Sequence, residues 1–285
     1  MKNILITGAN GQLGNEMRVL SAENKDYNYF FTDVAELDIC DEQAVMAFVK
    51  DNDIHVLVNC AAYTAVDKAE DNVALCTRLN TDAVGYLAKA AAANQAEFVQ
   101  ISTDYVFNGT NHLPYKETDP TCPNSVYGVT KLAGEAKAQE YCKNTMIIRT
   151  AWLYSTFGNN FVKTMIRLGK DREVLGVVFD QIGTPTYARD LASVIFAAIN
   201  NGIVPGIYHF SDEGVCSWYD FTKSIHRIAG ITTCKVSPLH TDEYPAKAPR
   251  PNYSVLDKTK IKTTYGISIP HWEESLEACI RELNK

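Results

Sequence analysis

Short apolar runs alternate with helix-forming stretches through the first 150 residues, and this alternation restricts the chain to few folds. The runs are continuously apolar, as strands buried on both faces of a sheet must be. They centre on residues 4–6, 29–31, 56–58, 98–101 and 146–148. Stretches suited to helices lie between them at 41–51, 72–94 and 123–142. Strands separated by helices in this way predict βαβ units and a parallel sheet covered on both faces.

A glycine-rich turn follows the first predicted strand directly. Gly8, Gly11 and Gly14 permit a tight turn, a close approach of the backbone to a pyrophosphate, and close packing of the next helix on the sheet. The helix that begins there offers free N–H groups and its positive dipole end to phosphates. An ordinary turn can carry the same glycines, so the position inside a βαβ unit decides the interpretation. The turn predicts dinucleotide binding.

Asp33 ends the second predicted strand, at about the distance from the glycine turn (~20 residues) where dinucleotide-binding domains carry an acidic residue. A carboxylate there accepts hydrogen bonds from the adenosine ribose and favours a free 2′-hydroxyl over a 2′-phosphate. No arginine lies beside it, and a solvated loop carboxylate explains the residue equally well. The choice between NADPH and NADH therefore stays open, with a slight preference for NADH.

The pattern loosens beyond residue 150, where seven of the ten prolines lie and residues 238–254 form a predicted long loop. We therefore predict an α/β fold with a doubly wound parallel sheet of the Rossmann type. Residues 1–150 are expected to form this NAD(P)-binding domain, with later segments returning to it. Residues 151–285 are expected to form a smaller C-terminal α/β part that mainly binds substrate.

Charge and cysteine content exclude several classes of function. Lys and Arg total 27 against 34 for Asp and Glu, a net charge of −7, so no basic footprint for nucleic acid or anionic lipid is present. The eight cysteines include no CxxC pair, which is typical of free thiols in a reducing compartment. The apolar runs are too short for a signal peptide or a membrane span. We expect a cytoplasmic protein that binds neither nucleic acid nor membranes.

Tyr127 and Lys131 are four residues apart in a predicted helix, which puts a phenol and an ammonium on one face. Use of a phenol as an acid near neutral pH requires its pKa, about 10 in water, to fall by up to about three units. An adjacent lysine and an oxidised nicotinamide both act in that direction. Thr103 leaves the carboxyl end of a predicted strand, where its hydroxyl can bond a substrate carbonyl. An exposed helical pair and a turn hydroxyl are the alternatives, but the order of the three motifs favours a functional site.

These motifs resemble those of the extended short-chain dehydrogenases/reductases. The residues concerned are Gly8-x-x-Gly11-x-x-Gly14, Asn59-Cys60-Ala61-Ala62, Thr103 and Tyr127-x-x-x-Lys131. Longer strings are similar to those of one branch, the dTDP-4-dehydrorhamnose reductase family, from residue 2 to about residue 283. They occupy residues 63–70, 102–107, 149–152, 158–161, 180–186 and Arg250-Pro251.

The resemblance implies a reaction and the roles of three residues. A hydride from NADPH or NADH would reduce the C4 ketone of dTDP-4-dehydro-L-rhamnose to dTDP-L-rhamnose, the last step of that biosynthesis. Tyr127 would protonate the developing alkoxide, and Lys131 would hold the nicotinamide ribose and lower the pKa of the tyrosine. Thr103 would orient the carbonyl.

The resemblance also assigns residues to the two ligands. Besides Gly8, Gly11, Gly14 and Asp33, which their spacing already assigns to the cofactor, and the catalytic Tyr127 and Lys131, the resemblance adds Gln12, Leu13, Asp38, Ile39, Ala61, Ala62 and Tyr63 to the cofactor contacts. The nucleotide sugar would contact Thr103, Asp104, Tyr105, Trp152 and Arg250. The guanidinium of Arg250 suits the nucleotide phosphates, although a solvated surface arginine is nearly as consistent with the sequence. For Trp152 the alternative is a core aromatic residue.

Magnesium is bound by some members of this family through carboxylates at a dimer interface. Glu16 matches one such position, but Arg189 stands where those members carry glutamate, and Asp190 would face elsewhere on a helix. The substitution argues against a metal-bridged dimer. A monomer or a homodimer is expected.

Two other functions stay open at this point. Nucleotide-sugar epimerases and 4,6-dehydratases use the same scaffold with tightly held NAD, but the dehydratases usually follow the threonine with Asp-Glu. Here the pair is Asp104-Tyr105. A non-catalytic regulatory subunit, like the reductase-related partner of methionine adenosyltransferase, is the second alternative, against which intact Thr103, Tyr127 and Lys131 argue.

Overall fold

Twelve strands and eleven α-helices make up the computed structural model, which describes residues 1–285. The strands are β1 (Lys2–Thr7), β2 (Tyr27–Thr32), β3 (Ile54–Asn59), β4 (Glu97–Thr103), β5 (Thr145–Thr150), β6 (Leu153–Tyr154), β7 (Val174–Val178), β8 (Ile182–Gly183), β9 (Thr186–Tyr187), β10 (Gly206–His209), β11 (Cys216–Ser217) and β12 (Lys235–Leu239). The α-helices are α1 (Gln12–Ser21), α2 (Glu42–Asp51), α3 (Val66–Ala69), α4 (Val73–Thr77), α5 (Ala83–Ala93), α6 (Val126–Tyr141), α7 (Phe161–Asp171), α8 (Ala188–Asn201), α9 (Trp218–Ile228), α10 (Thr259–Tyr265) and α11 (Trp272–Leu283). None of these helices has both the length and the apolar character that crossing a bilayer requires.

The central sheet has six strands in the order β10-β5-β4-β3-β1-β2, and every pairing in it is parallel. All five strands predicted from the apolar runs lie in this sheet, and the predicted doubly wound α/β fold is confirmed. The strand order reverses at β1, which pairs with β2 on one side and β3 on the other. A crevice forms outside the carboxyl ends of the strands at such a switch point.

Two hydrophobic clusters cover the two faces of the sheet. Ile4 and Ile6 of β1 face a cluster that includes residues of α1 and α8. Leu5, between them, faces a cluster formed with α2, α5 and α6. Successive side chains of a strand point to opposite faces, so a strand buried on both sides must be apolar at every position. This explains the continuous apolar runs in the sequence.

The chain beyond residue 150 contributes both to this sheet and to a separate cluster. Helix α8 packs on α1, and β10 extends the sheet beside β5. A third cluster, which includes Phe221, Ile225 and Leu276, joins α7, α9 and α11 with the β7–β12 pair. The predicted loop at 238–254 holds only the end of β12 and a 3-10 turn, Thr241–Glu243. The division of function at residue 150 stays a prediction.

Helix α6 lies unusually close to neighbouring backbone. A Cβ atom at Gly134 would lie 2.1 Å from the carbonyl oxygen of Asn80, and one at Gly128 would lie 2.3 Å from that of Tyr105. Only glycine permits both approaches. Gly85, in the interior of α5, differs because the nearest atom to its Cβ position is a Tyr141 side-chain carbon at 3.5 Å, an ordinary contact.

We expect Gly134→Ala to lower the free energy of unfolding by about 1–3 kcal/mol, because the new methyl group overpacks against backbone that cannot retreat. Gly85→Ala is the matched control: it should leave stability unchanged or raise it by up to about 1 kcal/mol, since alanine favours the helix. Urea denaturation of both variants measures the difference. Equal destabilisation by the two substitutions would contradict the close approach of α6.

Candidate active site

A cleft of about 550 Å³ opens at the carboxyl ends of the central strands. Its walls come from the segments that follow β1, β3, β4 and β5, from the start of α6, and from the C-terminal part of the chain. Twelve of the residues predicted from the sequence line it. They are Gly11, Gln12, Leu13, Ala61, Ala62, Thr103, Asp104, Tyr105, Tyr127, Lys131, Trp152 and Arg250.

The glycine turn forms the floor of one end of the cleft. Gly8 has a φ of +63°, and a Cβ there would lie 2.6 Å from the backbone nitrogen of Ala61, so the turn touches the segment after β3. Gly14 packs equally closely on Gly8 and Ala9. Helix α1 begins after Gly11 without a side-chain cap and without an acidic residue in its first turn. Its first N–H groups are therefore available to an anion such as a phosphate.

Six of the predicted cofactor residues lie outside the lining of the cleft: Gly8 and Gly14 of the turn, and Asp33, Asp38, Ile39 and Tyr63. Asp33 borders the glycine turn, where its Oδ2 accepts a hydrogen bond from the backbone N–H of Asn10 at 3.1 Å. Asp38 accepts one from the N–H of Cys40. Ile39 is buried in the hydrophobic cluster formed with α2, α5 and α6. The backbone of Tyr63 is hydrogen-bonded to the Asn80 side chain, which accepts from its N–H and donates to its carbonyl.

Thr103, Tyr127 and Lys131 converge on one wall of the cleft. Thr103 ends β4, and its hydroxyl donates to Oδ1 of Asp104 at 3.0 Å and lies close enough to the Tyr127 phenol to lower its pKa. Tyr127 lies in the first turn of α6, which Ser125 caps by accepting from the N–H of Gly128 at 3.2 Å. One turn later, Nζ of Lys131 donates to the Ile101 carbonyl at 2.6 Å.

Burial controls the protonation of both groups. Burial raises the pKa of the Tyr127 phenol above its ordinary value, and the nearby Asp104 carboxylate adds to the rise against the effect of the Thr103 hydrogen bond. Burial also lowers the pKa of Lys131 to about 8, against the attraction of the Glu135 carboxylate. In the protein alone the pKa of Tyr127 thus moves opposite to the direction expected from the adjacent lysine, because desolvation of the phenolate is the largest effect and Lys131 is not among the main charges that act on it. The phenol is held protonated, the form in which it can donate a proton.

Asp104 is a buried carboxyl group with one oxygen unpaired. Burial raises its pKa to about 6, although hydrogen bonds from Ser254 and Thr103 act in the opposite direction. Its Oδ2 atom is buried and has no hydrogen-bond partner. Buried polar atoms are normally paired, so this oxygen is an unused acceptor on a residue that lines the cleft.

Arg250 is held inside the cleft rather than solvated at the surface. Its Nη2 donates to Oδ2 of Asp67 at 2.6 Å, and its Nη1 donates to the hydroxyl of Tyr105 at 3.3 Å. The neighbouring backbone N–H of Ala248 donates to the other oxygen of Asp67, and Lys247 pairs with Asp71. The long loop is thereby fastened to the segment after β3, with a cation directed at the cleft.

Trp152 lines the cleft but does not offer two free faces. Its ring stacks on that of Trp218, with centroids 3.5 Å apart and planes 9° from parallel, and its backbone has a φ of +49°. Trp218, at the start of α9, also lines the cleft and was not identified from the sequence. Its position is set by the packing of α9, for which the sequence carries no local signal. Asn160, in the GNNF string, was given no role, yet its side chain donates to Oε1 of Gln12 at 3.0 Å.

The residues around Glu16 do not fit a magnesium ion. Glu16 is fully buried, and its two oxygens accept hydrogen bonds from Nε of Arg189 at 2.9 Å and from the hydroxyl of Ser155 at 2.6 Å. The charge of the carboxylate is therefore neutralised within the chain and both oxygens are used. No cluster of three or more His, Cys, Asp or Glu side chains has a metal-binding arrangement.

Comparison with known proteins finds one family along the whole chain. The family model described as the RmlD substrate binding domain matches residues 1–285. The curated dTDP-4-dehydrorhamnose reductase of Aggregatibacter actinomycetemcomitans is 42% identical over 97% of this chain and 98% of its own length. The crystal structure of a dTDP-4-dehydrorhamnose reductase from Clostridium acetobutylicum has a TM-score of 0.96 and 46% identity, covering 99% of this chain and 100% of that one. That from Bacillus anthracis, in complex with NADP, has a TM-score of 0.95 and 41% identity, with 99% and 100% covered.

We expect Asp104 to titrate near pH 6 in carbon-detected NMR, because burial penalises its charged form; burial also raises the pKa of Asp190 and Asp212, so the signal is assigned by substitution. The Asp104 carboxyl is protonated below that pH and ionised above it. Asp104→Asn should remove this titration and no other. Asp180, where hydrogen bonds from Thr241 outweigh the effect of burial and lower the pKa, serves as the internal control and should titrate below its ordinary value. An Asp104 signal that titrates with the surface aspartates would contradict the buried environment.

Proposed function

The chain belongs to the dTDP-4-dehydrorhamnose reductase family, and on this premise we propose that it reduces the C4 ketone of dTDP-4-dehydro-L-rhamnose with NADPH or NADH. The product is dTDP-L-rhamnose, and the reaction is the last step of its biosynthesis. The observation that carries the proposal is the convergence of Thr103, Tyr127 and Lys131 in a cleft at the topological switch point of the sheet.

The cofactor is assigned to the end of the cleft formed by the glycine turn. Gly11, Gln12 and Leu13 would meet its pyrophosphate with the N–H groups of α1, and Ala61 and Ala62 would lie along it. The nicotinamide, when bound, supplies the hydride. The NADP complex of the Bacillus anthracis relative supports NADPH, whereas Asp33 beside the turn supports NADH.

The chain itself supplies the proton and the orientation of the ketone. Thr103 turns its one hydroxyl proton from Oδ1 of Asp104 to the ketone oxygen, and Tyr127, kept protonated by burial, gives its proton to that oxygen as the C–H bond forms. The phenolate left on Tyr127 is stabilised by the ammonium of Lys131, one helical turn away on the same face. Reduction thus leaves a hydroxyl at C4 and a tyrosine that must be reprotonated from solvent.

The rest of the nucleotide sugar is assigned to residues that lie beside Thr103 and Tyr127 in the cleft. The unpaired oxygen of Asp104 accepts a hydroxyl of the hexose, which packs beside Tyr105 and Trp152. Arg250 binds the diphosphate, which must replace the carboxylate of Asp67 as its anionic partner. The protein is expected to act as a monomer or a homodimer.

The alternative functions fit the cleft less well. A 4,6-dehydratase of the kind that carries Asp-Glu needs a carboxylate after Asp104, and the hydroxyl of Tyr105 there is bonded to Arg250 instead. Burial of Lys131, Tyr127 and Asp104 around one cleft is costly, because each polar group loses its hydration. A non-catalytic subunit would not require these three groups to be buried together.

We expect purified protein to oxidise NADPH or NADH when the 4-keto sugar is generated in place by the upstream enzymes, with dTDP-L-rhamnose as product. Tyr127→Phe should lower kcat by about 10²–10⁴-fold, since the proton donor is lost. Tyr105→Phe is the matched control, because it removes a phenolic hydroxyl from the same cleft, with its ring 5.5 Å from that of Tyr127, and should cost less than about tenfold. Tight cofactor binding without oxidation would refute the reductase proposal.

We expect Arg250→Met to raise the KM for the nucleotide sugar by about 10–100-fold, the effect of losing a hydrogen-bonded charge, while the KM for the reduced cofactor stays unchanged. Lys247→Met is the control, since this lysine lies on the same loop and is paired with Asp71 outside the cleft lining. Steady-state kinetics with either substrate varied separates the two constants. An unchanged KM for the sugar nucleotide in Arg250→Met would remove Arg250 from the phosphate site.

A further inference from the structure

Glu135 is a buried carboxylate on α6 that the proposed reaction does not use. It lies four residues after Lys131 and eight after Tyr127, so the three side chains share one face of the helix. Arg149 of β5 donates two hydrogen bonds to this carboxylate, from Nε to Oε1 at 2.9 Å and from Nη2 to Oε2 at 2.7 Å. Both side chains of this ion pair are only 3% exposed.

The contacts of this helix face with β4 form a continuous series. The Thr103 hydroxyl lies close enough to Tyr127 to lower its pKa, Lys131 donates to the carbonyl of Ile101, and Glu135 accepts from the hydroxyl of Ser102 at 2.5 Å. Three consecutive residues at the end of one strand therefore hold three consecutive turns of α6. Glu135 is the only one of the three that is also tied to a second strand, because Arg149 lies opposite Ser102 in the sheet.

The charges that face Lys131 come from several elements. The thiols of Cys60 after β3 and Cys76 on α4 lie near it, and burial raises the pKa of Cys60 to about 12, which keeps that thiol neutral. Tyr127 on the same helix is held protonated. Asp104 after β4 lies nearer to Tyr127, whose pKa it raises.

Glu135 is thus the carboxylate that offsets the burial of the Lys131 ammonium. Behind it, Arg149 neighbours His209 of β10, and burial lowers the pKa of this histidine to about 3, so it carries no charge near neutral pH. The pKa of Lys131, about 8, leaves little margin above neutrality. Loss of the one nearby anion would leave much of Lys131 uncharged at the pH of the cell.

We infer that Glu135, held by Arg149, is a positioning residue that sets Tyr127 and Lys131 against β4 and keeps Lys131 charged. The inference rests on the proposed function, because the charge of Lys131 matters only if turnover uses it. Arg149 orients the Glu135 carboxylate and neutralises its charge. Without this partner the buried charge would strongly destabilise the fold.

The test is the alkaline limb of the pH dependence of kcat. In the wild type, activity should fall as the pH rises through about 8, because Lys131 loses its proton there. Glu135→Gln keeps the shape of the side chain and an acceptor for Ser102 but removes the charge. We expect its alkaline limb to move to lower pH by about one unit, with about a tenfold loss of kcat above the limb and a smaller loss below it. Glu135→Asp retains the charge and should keep the limb near its wild-type position, even where the shorter side chain lowers kcat.

Two further variants keep the test decisive. Glu135→Gln leaves the charge of Arg149 buried without a partner, which can cause misfolding. The double variant Glu135→Gln/Arg149→Met removes that charge as well. We expect it to shift the alkaline limb in the same direction as Glu135→Gln, but by less. Glu16→Gln removes a buried carboxylate from another arginine pair, the one with the half-buried Arg189, and should not move the limb. A wild type without turnover would overturn the proposed function. A wild type that turns over, with the limb unmoved in both Glu135→Gln and the double variant, would overturn the inference about Glu135.

Discussion

The close packing of α6 on β4 is the constraint on which the site depends. Gly128 and Gly134 let the helix approach neighbouring backbone to distances that any side chain would prevent. Hydrogen bonds from Lys131 to the Ile101 carbonyl and from Ser102 to Glu135 join the same helix to β4, and they hold its catalytic face at the edge of the cleft. Because each residue of a helix adds about 1.5 Å of rise and about 100° of rotation, a shift of one residue along its axis would break these contacts.

Burial then gives each group its chemical state. The same loss of water raises the pKa of Tyr127, lowers that of Lys131 to about 8 and raises that of Asp104 to about 6. Acids become weaker and the base becomes less basic, since the charged form is penalised in each case. The result is a cleft in which a protonated phenol lies on the same helix face as an ammonium group whose pKa is only slightly above neutral. This arrangement suits a reaction that forms a phenolate and then reprotonates it.

The C-terminal part of the chain completes the cleft from a distance in sequence. Arg250 reaches it through a loop fastened to Asp67, and Trp218 reaches it from the start of α9 by stacking on Trp152. Helix α8 and β10, by contrast, belong to the central sheet and its core. Within the second half of the chain, elements that build the sheet therefore alternate with elements that close over the ligands.

The amino-acid sequence by itself determined the sheet, the glycine turn and the order of the catalytic motifs. These features are local: a strand buried on both faces is apolar at every position, and a helix repeat puts Tyr127 and Lys131 on one side without reference to the rest of the chain. The tertiary structure decided the pairing of Arg250 with Asp67, the stacking of Trp218 on Trp152, and the grip of Arg149 on Glu135. It also decided the direction of the Tyr127 pKa, which the spacing of the lysine did not predict. These pairings and this pKa depend on burial or on contacts between residues far apart in the chain. The spacing of neighbouring residues encodes neither burial nor such contacts.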